Sequence, residues 1–303
     1  MQPVGYVAQV AKGFAMGTAD IVPGVSGGTV ALVVDIYDRL ICNVREGARA
    51  LKQLITGDGS GLAATLRRIE WLWLLSLLGG IILAVGLMSS ILETLLAEQA
   101  IAMSGLFFGL VVGTIWIAWN MLDRTDAASV QIDIALMLGV GAVMFLLLGL
   151  RSDTETTEGA ESVVTEPAWM FFLVGAIAIC AMILPGISGS FILVLLGMYT
   201  EVLGAINDRD YGVLLAFMAG CVIGLALFST VLHYLLEKHH SYVIAAMIGL
   251  MLGSTRVLWP WPDGVHTTTL AAPSDEIVLP IVLAVIGAAI VVAVERFSNR
   301  KHV

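Results

Sequence analysis

Ile21-Val22-Pro23-Gly24-Val25-Ser26-Gly27-Gly28-Thr29 lies inside a long apolar run, and it returns little changed as Ile183-Leu184-Pro185-Gly186-Ile187-Ser188-Gly189-Ser190. Proline donates no backbone hydrogen bond and glycine tolerates almost any dihedral, so each copy predicts a break in a membrane helix. A helix start follows each break, with Ser26 or Gly28 before Thr29, and Ser188 before Ser190, as the caps on offer. Such a start presents N–H donors with partial positive charge, which suits an anion. Irregular backbone at membrane depth survives only where it is buried in protein or lines a cavity. One break in each half of a chain points to the binding site of a transporter.

The 303 residues are 58% hydrophobic and 13% charged, with a mean hydropathy of +0.94. A soluble domain carries about twice that charge, so the chain reads as a polytopic membrane protein. No basic cluster is interleaved with aromatics, which excludes a nucleic-acid partner. No cleavable signal pattern precedes the first apolar run. Cys42, Cys180 and Cys221 are scattered, and they suggest neither a disulfide framework nor a metal site. No cofactor is expected.

Residues 6–44 form the first hairpin, Tyr6 to Val22 and Thr29 to Val44 around the break. Each arm is short of the roughly 20 residues of a full span, so a re-entrant hairpin or a pair of short helices is expected. An amphipathic stretch, 45–70, is interrupted at Gly57-Asp58-Gly59-Ser60-Gly61 and leads to spans at 71–96, 100–119 and 131–150. An acidic loop, 151–166, holds Asp153, Glu155, Glu158, Glu161 and Glu166. A second hairpin, 167–207, precedes spans at 211–236, 241–259 and 277–295.

The halves, 1–150 and 167–303, align. Pro23, Ser26 and Tyr37 meet Pro185, Ser188 and Tyr199 at an offset of 162. Gly80 to Trp119 meets Gly220 to Trp259 without gaps at an offset of 140, so the first half is longer by 22 residues between motif and first span. A hairpin plus three spans crosses the membrane an odd number of times, and its copies then run in opposite orientation. The expected fold is all-α, two inverted repeats with broken helices near the midplane. Charge sets the orientation. With 45–70 in the cytoplasm, Arg39, Arg45, Arg49, Lys52, Arg67, Arg68, Arg124, Lys238, Arg296, Arg300 and Lys301 are inside, and chiefly Arg151 and Arg209 are outside. Both termini are then cytoplasmic.

The candidate anion site comprises Ser26, Gly27, Gly28, Thr29, Ser188, Gly189 and Ser190. The bland alternative is a pair of tight packing turns. Asp20 precedes the first break and its repeat partner is Met182, which leaves a helix cap and a proton-coupling group both open. Arg256 lies toward the outer end of its span, against the charge bias, as a phosphate ligand or a snorkelling anchor. Arg39 follows as a second-choice phosphate ligand or an ion-pairing anchor, and Lys12 likewise. Gly13/Gly17, Gly105/Gly109/Gly113 and Gly249/Gly253 have the spacing for close helix packing. Gly-x-Ser-Gly in a membrane also suits a serine hydrolase, which needs a base beside the serine. Of the five histidines only His233 lies in a span, near its cytoplasmic end, and no enzyme activity is expected.

Ala19-Asp20-Ile21-Val22-Pro23-Gly24-Val25-Ser26-Gly27-Gly28-Thr29, the second copy, and Arg256-Val-Leu-Trp259-Pro260-Trp261 together resemble the PopT family across nearly the whole chain. The resemblance implies a bacterial inner-membrane polyprenyl-phosphate transporter that returns undecaprenyl phosphate from the outer to the inner leaflet for cell-wall synthesis. Composition alone stops at a secondary transporter with an anion-suited site, and a small soluble anion is the alternative cargo. A lipid phosphate must move its head group through about 30 Å of hydrocarbon while its tail stays in lipid. The partners expected are that lipid and the bilayer, with a single copy and a homo-oligomer both left open.

Overall fold

The computed structural model describes residues 3–22, 26–122, 127–149, 166–273 and 276–299. Pro23-Gly24-Val25 of the first motif, Arg124, 151–165 of the acidic loop, Arg300, Lys301 and His302 lie outside the described residues. The first half folds as α1 (Pro3–Ile21), α2 (Gly27–Val33), α3 (Tyr37–Thr56), α4 (Gly59–Arg68), α5 (Trp71–Glu98), α6 (Ala100–Asn120) and α7 (Ala127–Gly149). The second half folds as α8 (Ala168–Ile183), α9 (Gly189–Leu195), α10 (Tyr199–Asn207), α11 (Tyr211–Lys238), α12 (His240–Ser254) and α13 (Val278–Asn299). There is no strand among the described residues. Five helices, α5, α6, α7, α11 and α13, are long and apolar enough to cross a membrane, so this is a multi-pass, all-helical membrane protein. Of these, α6 is the inner one: 56% of its apolar window is buried, against 17–22% for the others.

Both halves break twice where one break was expected. The second arm of the first hairpin, 29–44, is interrupted between α2 and α3 at Asp35, where φ is +54°. Its equivalent in the second half is Gly197, at φ +67°, between α9 and α10. Left-handed backbone ends a helix and is cheap only for glycine and a few short polar residues such as aspartate. The span expected at 241–259 also differs, because α12 stops at Ser254. Residues beyond it turn, and Pro260 and Pro262 bar a further helix. The amphipathic stretch is helical. Gly57 closes α3, and Asp58 caps α4 by accepting from Gly61 N at 2.9 Å. This α4 has no counterpart in the second half.

Packing repeats with the sequence. α1 lies along α5 as α8 lies along α11, while α6 pairs with α13 and α7 with α12. The third span of each half therefore packs on the second span of the other. Glycines make these approaches possible. A Cβ on Gly80 would stand 2.1 Å from the Val10 carbonyl oxygen, and one on its equivalent, Gly220, 1.9 Å from that of Phe172. On Gly109 it would stand 1.9 Å from the Ala284 oxygen, and on Gly249 2.6 Å from that of Met137. With no hydrophobic drive between helices in lipid, close backbone contact is what holds them together.

Gly109→Ala should therefore destabilise the protein by about 1–3 kcal/mol, because α6 and α13 must separate. Gly86, on α5, has open space where its Cβ would go, and Gly86→Ala should be neutral or stabilising by about 1 kcal/mol. Thermal unfolding of the two variants in one detergent checks this, and equal loss in both would remove the packing argument.

Candidate functional site

The two motif copies meet. Ser26 Oγ donates to the Met182 carbonyl at 3.3 Å, and Gly186 N donates to Thr29 Oγ1 at 3.2 Å. Tyr37, at the start of α3, donates its hydroxyl to the Ile183 carbonyl at 3.1 Å. A Cβ on Gly28 would stand 2.8 Å from that same carbonyl oxygen. The carbonyls freed where α8 ends are thus taken up by hydroxyls of the other half. Gly186 itself sits at φ +87° with Met251 of α12 against it, where a side chain has neither the dihedral nor the room.

The first turn of α2 is satisfied from within the chain. Gly27 N donates to Asp20 Oδ1 at 2.5 Å, Gly28 N to Ser26 Oγ at 3.1 Å, and Thr29 N to the Ser26 carbonyl at 2.9 Å. Ser26 and Thr29 are 2% and 3% exposed. Of the two roles open to Asp20, this geometry supplies the cap: a carboxylate at a helix start, where negative charge is favoured. The second copy differs at this point. Ser188 makes no side-chain capping bond to α9, and Met182, the repeat partner of Asp20, lies against Gly189 as Asp20 lies against Gly27. Ser190 opens α9, and its side chain lies outside the described set.

The candidate cations make the following bonds to other parts of the chain. Arg256 Nε donates to the Thr268 carbonyl at 3.1 Å and its Nη1 to the Phe145 carbonyl at 3.4 Å. Its guanidinium lies 4.7 Å from the Phe145 ring centroid and beside Gly149, so it sits over the C-terminal turn of α7, where cations are favoured. Arg39 forms a two-bond ion pair with Glu70, one bond being Nε to Oε1 at 2.9 Å, and lies 4.6 Å from the Trp73 ring centroid. Asn43 Oδ1 accepts from Glu70 N at 2.9 Å and closes the cluster. Lys12 Nζ donates to the Val34 carbonyl at 2.7 Å, at the end of α2. His233 pairs with Glu237 one turn on, not with either motif serine.

Two apolar clefts flank the motifs. One, of about 380 Å³, runs between α1, α2, α6 and α13, with the hydroxyl residues Thr18, Thr29 and Thr114 in its wall. The other, of about 460 Å³, lies between α7, α9 and α12 and has no hydroxyl among the described residues of its wall. Their linings correspond: Val30, Val33 and Leu110 of the first match Ile192, Leu195 and Leu250 of the second at the repeat offsets.

A family model described as VCA0040-like, undecaprenyl phosphate translocase-like, matches residues 16–275. The chain belongs to that family. A relative named polyprenyl-phosphate transporter, from Vibrio cholerae serotype O1, is 34% identical over 98% of both chains. A second of the same name, from Staphylococcus aureus, is 29% identical over 83% of this chain and 85% of its own. No solved structure matches the chain. The matched region of this translocase-like chain takes in both motif copies from Ile21 onward, and Arg256.

Sequence reasoning named Thr29 but gave no site role to Tyr37 and missed Thr18 and Thr114. Tyr37 was legible, since it recurs as Tyr199 at the motif offset. Thr18 and Thr114 carry no such mark.

The Arg39–Glu70 pair gives a pH prediction. The hydrogen bond from Arg39, first, and its charge hold the Glu70 carboxyl below the usual glutamate range. Stability from a depressed acid is present above its unfolded value, about 4.3, and is lost as pH falls through the lower folded value. Both side chains are about one-third exposed or more, so the pair contributes less than about 1 kcal/mol. Glu70→Gln should lower thermal stability slightly at neutral pH and shrink that difference under acid. An equal loss at both pH values would mean that charge is not the cause.

Proposed function

We propose that this protein carries a polyprenyl phosphate across the bacterial inner membrane, returning undecaprenyl phosphate to the inner leaflet for cell-envelope synthesis. The two halves act as inverted repeats that give alternating access to the motif turns, with both termini cytoplasmic. The observation that carries the reading is that Ser26 and Thr29 of the first motif copy bond to the second copy's turn beside apolar clefts. The names of the relatives support the same cargo. A prenyl tail suits an apolar wall, and a phosphate suits hydroxyls and helix starts.

The head group binds at Ser26, Gly27, Gly28 and Thr29 in one half and at Ser188, Gly189 and Ser190 in the other. On arrival it takes the Gly27 N–H from Asp20, and Asp20 accepts a proton as it gives up that bond, which limits the negative charge gathered there. Helix starts favour an anion by about 0.3–1 kcal/mol each when exposed, and up to about 2 when partly buried. That is too little to desolvate a phosphate, so a cation must join. Arg256 is the first choice because a guanidinium stays charged and grips two oxygens, with Arg39 next.

The test is leaflet-resolved movement and binding of a labelled polyprenyl phosphate with the purified protein in liposomes. Binding should weaken in the order wild type, then Ser26→Ala and Arg256→Lys, then Arg256→Ala. Asp20→Asn should bind about fivefold more tightly at neutral pH, since a competing charge worth about 1 kcal/mol is removed. If the wild type moves no lipid but concentrates inorganic phosphate, the cargo is a soluble anion. If Arg256→Ala binds like wild type, the arginine only fastens the end of α7.

A further inference from the structure

α3 stays amphipathic beyond the point where protein covers it. Arg45, Arg49 and Lys52 recur at spacings of four and three and form one stripe, while Leu40, Val44, Leu51, Leu54 and Ile55 share another face. The helix packs along α11 and α4, yet Leu54 and Ile55 are 63% and 76% exposed, and Leu66 of α4 is 37% exposed. α4 adds Arg67 and Arg68 in its last turn. Glu46 takes up Arg49, whereas Arg45, Lys52, Arg67 and Arg68 form no ion pair among the described residues. A helix C-terminus suits cations, which accounts for Arg67 and Arg68 but not for Lys52 or the bare apolar side chains. Trp71, the half-exposed first residue of the candidate span α5, donates its indole N–H to the Leu66 carbonyl at 2.8 Å. Tryptophan at the end of a span sits at head-group level, so this bond sets α4 at the membrane surface. The second half has no such surface: α10 stops at Asn207 without a basic residue, Glu201 stands in the place of Arg39, and Asp208 and Asp210 flank Arg209.

In water the exposed leucines and isoleucine would gain nothing from their place beside four cations. An anionic bilayer surface satisfies both at once, with the acyl boundary for the apolar side chains and head-group phosphates for the cations. We propose that the end of α3 together with α4 is a docking surface for anionic phospholipid head groups, in the leaflet that α5 enters at Trp71. Leu54, Ile55 and Leu66 dip below the head groups, and Arg45, Lys52, Arg67 and Arg68 take the phosphates. The partner is the bulk anionic lipid of the leaflet, not a cargo, so the proposal does not rest on the transport function above. Only one leaflet is gripped in this way, because the surface belongs to one half.

Amide hydrogen exchange over residues 45–68 reads the docking in the purified protein, placed in vesicles of phosphatidylcholine alone or mixed with phosphatidylglycerol. At low salt, protection should be higher in the mixed vesicles by about fivefold for each cation engaged. That gain should shrink at about 1 M salt, where charges are screened within about 3 Å. Lys52→Gln, Arg67→Gln and Arg68→Gln together should remove most of the gain, and Arg209→Gln, in the second half, should leave it intact. Leu54→Ser with Ile55→Ser should lower protection in both kinds of vesicle. The substituted side chains are exposed, so exchange in α6 should not change in any variant. Equal protection in the two kinds of vesicle overturns the proposal and leaves these cations to a protein partner or to solvent. A gain that survives the triple variant overturns it too. Should the triple variant lose protection in α6 as well, the wild type decides, and a gain unmoved by salt overturns the proposal.

Discussion

A backbone group stranded at membrane depth has no water to turn to, and that constraint organises this molecule. The second Pro-Gly turn frees donors and acceptors, and side chains of the first half satisfy them. Carbonyls of Met182 and Ile183 receive the hydroxyls of Ser26 and Tyr37, and the Gly186 amide finds Thr29. The second break could not stand alone in lipid. It depends on hydroxyls of the first half, and this fixes where the halves must touch before any further packing is considered.

Packing then follows from small residues. α1 against α5 and α8 against α11 are built inside each half on equivalent glycines, Gly80 and Gly220 among them. α6 with α13 and α7 with α12 tie the halves together, each lending its third span to the other. Two thiols mark how tightly this is done. Cys180 Sγ lies 3.6 Å from the Gly224 carbonyl oxygen and Cys221 Sγ 3.4 Å from that of Gly175, reciprocally across one helix pair.

Much of this was legible because hydropathy and repetition are strong signals over long windows. The helical class, the duplication and the membrane spans follow from them, and the glycine spacings named the contact faces. What failed was local. Hydropathy carries straight through Trp259, but α12 ends at Ser254, since the chain must turn to bring Thr268 under the Arg256 side chain. The kink at Asp35 was hidden because aspartate takes left-handed backbone far less often than glycine does; its partner Gly197 was the clearer sign. Arg256 and Arg39 were identifiable as unusual charges. Their companions, two carbonyls and Phe145 for one, Glu70 and Trp73 for the other, come from distant parts of the chain and leave no trace in spacing.

The duplication is imperfect in two places: α4 exists once, and a carboxylate at the first helix start faces a thioether at the second. In the alternating-access cycle proposed above, a perfect duplicate would exchange the surroundings of its halves at no energetic cost and populate its two shapes equally. With these two differences, the same exchange would move a carboxylate and a whole amphipathic helix into different company. The proposed cycle would then have a preferred rest position even with nothing bound, and a cargo would meet a different energetic slope from each face.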